Sequence, residues 1–241
     1  MLYLYDATWE GLLTAVFQAF LRKDAEACIQ AESRFPGVSL FPTCRVETDG
    51  AKAARVAAGM ARLSGALPAI AYKAFLSETE GMENALLGTL RIGFANRRDP
   101  LPRRQEEPVR LLNTLAERVG GEAHRFLQFI RFVRAGPDLY AADIEPDYFV
   151  LPLIGGHFHV RFNDQRLVVR DVKRRLALLS TPEEWWIAPL PAECPPLPRD
   201  DAAAGLWKAY FRDIANPARL NHKLQRQFVP LKYRRHIVEF Q

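Results

Sequence analysis

The chain has 241 residues, 49% hydrophobic and 25% charged, the make-up of an ordinary globular protein long enough to bury a sizeable core. No apolar run is long enough to cross a bilayer, Met1 to Asp6 lacks a basic n-region and a small-residue cleavage site, and the scattered Cys28, Cys44 and Cys194 form neither a disulfide framework nor a CxxC metal site, so membrane insertion, secretion and a cystine scaffold are set aside and a reducing cytoplasm is expected. Net charge is +5, but residues 206–241 hold eight Lys or Arg against two acids, which leaves −1 for residues 1–205 and confines the positive excess to the C-terminal segment.

In chain order, Leu2 to Tyr5 is a β-prone run ended by Asp6. Asp6 or Thr8 can then cap a helix in which Trp9, Leu12, Leu13, Val16, Phe17 and Phe20 recur at i, i+3 and i+4. Residues 35–48 read as loop and strand, extended over Arg45 to Thr48. Asp49 caps an Ala-rich helix over 50–63, broken by Gly65 and Pro68. Two further helices are expected at about 67–77 and 80–95. Residues 97–108, dense in charge and proline, read as an exposed connector and the best internal boundary. A helix is expected from Val109 to Val119, stopped by Gly120-Gly121.

The second half is expected to be richer in strands. Arg125 to Arg134 and Leu139 to Ile144 flank Gly136-Pro137 and fit a hairpin. A helix is expected from Pro146 through Phe162, then a second strand pair, Leu167 to Asp171 with Arg175 to Leu179. Residues 181–199 hold six prolines and read as irregular. Helices are expected from Asp200 to Ile214, from Asn216 to Phe228, and after Pro230. Strands paired with their sequence neighbours, with helices before and after, predict an α+β fold: an antiparallel sheet of hairpins with N-terminal and C-terminal helices. Regular βαβ alternation, GxGxxG and GxxxxGK[ST] are missing from the pattern, so a nucleotide-binding doubly wound fold is not expected, and neither is a cofactor.

Four constellations could carry chemistry. Near His124, a strand over 125–134 would set Arg131 beside Phe129 and Val133 on one face, a surface able to hold a phosphate and stack a base; the competing reading is a core strand with snorkelling arginines. In His157-Phe158-His159-Val160-Arg161-Phe162, a helix puts His157 and Arg161 on one face, whereas a strand aligns His157, His159 and Arg161 without an obvious third metal ligand. At the turn Asp171-Val172-Lys173-Arg174, both cations can contact phosphates, or the turn is merely solvated. In the tail, Arg219, Lys223 and Arg226 form a basic stripe at i, i+4 and i+7, with Asn216 and Asn221 as caps or ligands; Trp207, Tyr210, Phe211 and Ile214 have core spacing. Glu183-Glu184 beside Trp185-Trp186 reads as an acid in an apolar pocket or a helix N-terminal turn. No GxSxG occurs, and no histidine neighbours any of the three cysteines to activate it.

The set of motifs resembles a bacterial family described as "probable DNA metabolism protein", a domain of unknown function. The resemblance runs through Tyr5-Asp6, Trp9-Glu10-Gly11, Val46-Glu47-Thr48-Asp49, His124-Arg125-Phe126-Leu127, Leu139-Tyr140-Ala141, Pro146-Asp147, His157-Phe158, Asp171-Val172-Lys173-Arg174, Trp207-Lys208, Asn216-Pro217, Arg219-Leu220-Asn221 and Pro230 with Tyr233. It covers nearly the whole chain and implies a single domain over 1–241. It also implies DNA repair or modification alongside a separate radical S-adenosylmethionine protein, with a uracil-DNA glycosylase-like domain fused in some members. This chain is expected to lack the glycosylase module and to act alone or in trans, and without a CxxxCxxC cluster it is not expected to be the radical enzyme.

Three expectations follow. The first is a DNA-binding accessory protein, with Arg131, Arg161, Lys173, Arg174, Arg219, Asn221 and Lys223 on nucleic acid and aromatic side chains around an unstacked base. The second is an enzyme acting on a nucleobase or phosphodiester, with His124, His157 and Asp171 as its acid, base or metal set. The third is a protein-interaction module without DNA affinity.

Overall fold

The computed structural model describes residues 1–197 and, beyond them, residues 205–206, 209–210, 213, 223, 229, 231–234 and 237. The chain divides into two compact units, Met1–Gly120 and Gly121–Gln241. Among the described residues, no helix is long and apolar enough to cross a membrane.

The first unit is built on a parallel three-stranded sheet in the order β2-β1-β3, from β1 (Leu2–Tyr5), β2 (Cys28–Ala31) and β3 (Thr43–Arg45). Its central strand buries Tyr3, Leu4 and Tyr5 almost completely, the continuous apolar run expected of a strand covered on both faces. Helix α1 (Trp9–Leu21) crosses from β1 to β2. It starts where the sequence places it: Thr8 Oγ1 accepts from the Gly11 N–H at 2.9 Å, and Asp6 Oδ1 accepts from the Thr8 hydroxyl at 2.6 Å. Burial alone would raise the Asp6 pKa, but hydrogen bonds from Thr8 and Thr48 outweigh it and hold the carboxyl below its ordinary range. Gly11 has to be small here, since a Cβ would stand 2.0 Å from Asp6 Oδ1.

Thr8→Ala removes the cap and one partner of Asp6. The expected loss is about 1 kcal/mol of stability, read as a lower urea midpoint with an unchanged m-value.

Helix α2 (Gly50–Leu63) is capped by Asp49, which accepts from the Ala51 and Lys52 amides at 3.0 and 3.1 Å. Helices α3 (Leu67–Phe75) and α4 (Met82–Asn96) follow close to their expected places. Buried Glu83 of α4 accepts from Tyr5 Oη at 3.0 Å and pairs with Arg34, tying α4 to the sheet. The 97–108 segment joins α4 to α5 within the first unit.

Helix α5 (Glu107–Phe129) runs through Gly120-Gly121, where a stop was expected, and carries the chain into the second unit. A helical glycine costs about 1 kcal/mol relative to alanine and does not end a helix when its neighbours are held. Val119, Glu122, Ala123 and Phe126 continue one buried stripe across the pair. The first half of the strand expected at Arg125 to Arg134 is therefore helix, with the Ile130 N–H still donating to Phe126 O at 3.1 Å, and only Val133 and Arg134 enter a strand.

The second unit is a five-stranded sheet in the order β4-β5-β6-β7-β8: β4 (Val133–Gly136), β5 (Leu139–Ile144), β6 (Arg166–Asp171), β7 (Leu176–Ser180) and β8 (Trp185–Pro189). The α+β class stands, and β4–β5, β6–β7 and β7–β8 are antiparallel hairpins. The sheets are not wholly antiparallel, however. β5 and β6 run parallel around helix α6 (Leu151–Arg161), and the first unit's sheet is all parallel. β2 escaped the reading because four residues are too few to show alternation, and β3 lies in the 35–48 segment read as loop and strand, starting two residues before the stretch expected to be extended. β8 lies in the proline-rich stretch read as irregular; Pro189 closes it at the sheet edge, where no ladder N–H is needed. Thr181 N–H donates to Glu184 O at 2.9 Å, so Glu183 and Glu184 are exposed hairpin-turn residues, not a helix start or a buried acid.

Ile144, Leu167, Val169 and Leu178 of the sheet pack with Phe126, Val150, Leu151, Ile154 and Phe158, and with Tyr233 and Ile237 of the tail. Gly155 lets α6 approach β8: a Cβ there would be 2.5 Å from the Trp185 ring. Tyr233 lies in a helical turn, Leu231–Arg234. Of the other expected C-terminal helices, residues 205–206, 209–210, 213 and 223 are helical, and the rest lies outside the described residues.

Candidate nucleic-acid interface

The turn between β6 and β7 organises one end of the second unit's sheet. Asp171 is fully buried. Its Oδ1 accepts from the Lys173 and Arg174 amides at 3.1 and 3.0 Å, and its Oδ2 lies 3.1 Å from Arg174 Nη1. The Arg174 guanidinium then donates to Pro146 O at 3.2 Å and Asp147 O at 2.9 Å, and sits over the Phe149 ring. Glu122 of α5, also buried, grips the same loop through its amides: Asp147 N–H donates at 3.2 Å and Tyr148 N–H at 2.9 Å, and Tyr233 Oη adds a third bond at 3.1 Å. The β5–α6 connection is thus held at its carbonyls by an arginine and at its amides by a carboxylate.

The structure places the two cations of Asp171-Val172-Lys173-Arg174 differently. Arg174, expected on a phosphate, is turned inward as a clamp. Lys173 is exposed, and among the described residues its ammonium has no ion-pair partner.

The proposed acid–base set is not assembled. His124 is exposed on α5, with Nε2 at 2.9 Å from Gln128 Nε2. His157 is exposed on α6, its ring edge-on to Phe158. Asp171 is engaged by its own turn. Among the described residues, no hydrogen bond joins the three, and no group of three or more His, Cys, Asp or Glu gathers as metal ligands. His157 and His159 lie on a helix, so the strand alignment of an HxH pair does not arise; His159 Nδ1 meets Ser180 Oγ at 3.1 Å.

Arg131 donates through Nη1 to Gln128 O at 2.9 Å and Ile130 O at 3.3 Å, satisfying carbonyls at the end of α5. Phe132 packs against Phe158 and Phe162, and Phe126 and Phe129 against Tyr233, so these rings are core rather than stacking platforms. Arg161 is exposed at the end of α6, its guanidinium 5.9 Å from the Phe162 ring centroid. Arg166, not singled out in the sequence, is exposed near it at the start of β6. Arg161 and Arg166 stand at one end of β6 and Lys173 at the other, roughly 20 Å of strand apart. Lys223 is helical and exposed; Arg219 and Asn221 lie outside the described residues.

Sequence reasoning also missed an ion pair between a buried arginine and a half-buried carboxylate. Arg170 is 7% exposed. Its Nη2 donates to Asp143 Oδ2 at 2.7 Å and its Nε to Oδ1 of the same carboxylate; Nη1 reaches Pro195 O at 2.7 Å and Cys194 Sγ at 2.9 Å. Hydrogen bonding to Asp143 holds the guanidinium more firmly protonated, against the opposing effect of burial. The signal was present: two apolar runs each carry a charge near the end, and the parallel register sets Asp143 opposite Arg170.

A family model described as a domain of unknown function, DUF4130, matches residues 80–239. No curated protein and no solved structure matches the chain.

Proposed function

We propose, for a chain that belongs to the DUF4130 family, a nucleic-acid-binding role: an accessory protein of DNA repair or modification that holds DNA for a partner enzyme of the radical S-adenosylmethionine type. The observation that carries DNA binding is the confinement of positive charge to residues 206–241, eight Lys or Arg against two acids. Concentrated charge displaces counterions from a phosphate backbone, whereas the same charge spread over the surface does so weakly. Exposed Arg161, Arg166 and Lys173 are further cations of the second unit open to a phosphate. The partner enzyme, and a uracil-DNA glycosylase-like protein as a further associate, rest on the family resemblance. The enzyme reading has less support, because among the described residues no hydrogen bond joins His124, His157 and Asp171.

Fluorescence anisotropy with labelled single- and double-stranded oligonucleotides across a salt series tests this. The logarithm of affinity is expected to fall linearly with the logarithm of salt. Lys173→Gln/Lys223→Gln is expected to flatten that slope by about 0.7–0.9 for each phosphate contact removed. No binding by the wild-type chain at low salt overturns the proposal and leaves a protein-interaction module, to be tested by pull-down of the radical enzyme.

A further inference from the structure

A groove of about 390 Å³ opens on the first unit between α1, α2 and α4. Its walls are Phe17 and Phe20 of α1, Phe94 of α4, and Arg55 and Arg62 of α2, with Gly59 at its floor. Phe20 and Phe94 meet edge to face at 5.4 Å, and the Arg55 guanidinium lies 5.2 Å from the Phe17 ring centroid. A Cβ on Gly59 would come within 3.0 Å of Phe94 Cζ, so the missing side chain seats that ring against α2. The lining holds two cations and no carboxylate. Both arginines are exposed, and neither has an ion-pair partner among the described residues. They lie seven residues apart on one helix, about 10 Å along its axis. Phe17 and Phe20 pack on the core at the bottom of the groove, and the two arginine heads stand at its exposed rim.

We propose that this groove is a second nucleic-acid contact, in which a base of a single strand packs on the phenylalanine rings while Arg55 and Arg62 hold flanking phosphates. The proposal rests on the DNA-binding role above and adds a site to it. The lining demands an anionic ligand with a flat or apolar body. Stacking on Phe17 orients the Arg55 guanidinium and leaves its in-plane donors for a phosphate. Base stacking on aromatic rings beside a cationic track is how single strands are held without regard to sequence.

The test uses the full chain and a labelled single strand carrying 5-iododeoxyuridine. Arg55→Gln/Arg62→Gln, at exposed positions that leave the core intact, is expected to weaken binding about tenfold. Photocrosslinks of the wild type are expected at Phe17, Phe20 or Phe94. Wild-type binding that survives Arg55→Gln/Arg62→Gln unchanged, with crosslinks confined to the second unit, overturns the groove and leaves the DNA-binding role standing. Failure of the wild type to bind any oligonucleotide removes both. Retention of an acidic, aromatic-bearing peptide by the wild type but not by the variant, without oligonucleotide binding, assigns the groove to a protein partner and likewise overturns the proposal.

Discussion

Glu122→Ala is expected to cost about 3–5 kcal/mol, a large effect for one surface-distant side chain. The Glu122 carboxylate is 1% exposed and accepts from the Asp147 amide, the Tyr148 amide and Tyr233 Oη. Alanine strips the acceptor from one buried donor, Tyr233 Oη, and from two part-buried amides, and a stranded buried donor costs about 1–3 kcal/mol. Glu122→Gln keeps one acceptor oxygen and is expected to lose about half as much. Because the chain has two compact units, a single global midpoint is a blunt readout. Hydrogen exchange is sharper: the Asp147 and Tyr148 amides are expected to lose protection first in Glu122→Ala, ahead of the β6–β7 ladder. Uniform loss across the second unit, with those amides no faster than the rest, argues that Glu122 acts through helix α5 and not through the loop.

The same residue shows how far the sequence could be read. Chemistry local to a few residues was legible: Thr8 and Asp49 announce α1 and α2 because a cap needs only a side-chain oxygen and the next two or three amides. The β6–β7 turn was legible for the same reason, since Asp171 bonds amides two and three residues on. The roles inside that turn were not. Whether Arg174 faces solvent or the loop at Pro146–Asp147 depends on β5 lying beside β6, a parallel pairing joined through α6. Glu122 and Tyr233, 111 residues apart, are joined only by the fold. Parallel order was the main omission, because nothing local to β2 or β3 shows which strand each will join. The candidate site divided along the same line: an exposed lysine in a turn was legible, while the inward arginine and the scattered histidines needed the tertiary structure.

Asp143→Ala is expected to destabilise the second unit as much as Glu122→Ala, by about 3–5 kcal/mol, because it strands the nearly buried Arg170 guanidinium without its carboxylate. The pair itself need not be a net source of stability. Removing two charges from water is costly, and attraction between them offsets that cost only with good geometry. Asp143→Leu/Arg170→Met is therefore expected to fall within about 1 kcal/mol of the wild type, so that a double-mutant cycle returns a large coupling energy around a near-neutral double variant. What the double variant gives up is specificity of pairing. β6 also carries Arg166 at its start and Asp171, held by its own turn, at its end, but Asp143 opposite Arg170 is the cross-strand charge pair between β5 and β6, and a shifted register would break it. Hydrogen exchange of the β5–β6 amides in the double variant is expected to show faster, heterogeneous exchange at nearly unchanged global stability. A double variant that exchanges as uniformly as the wild type would mean that α6 packing alone sets the register, and that the pair serves instead to anchor the Cys194–Pro195 segment through the other arm of Arg170.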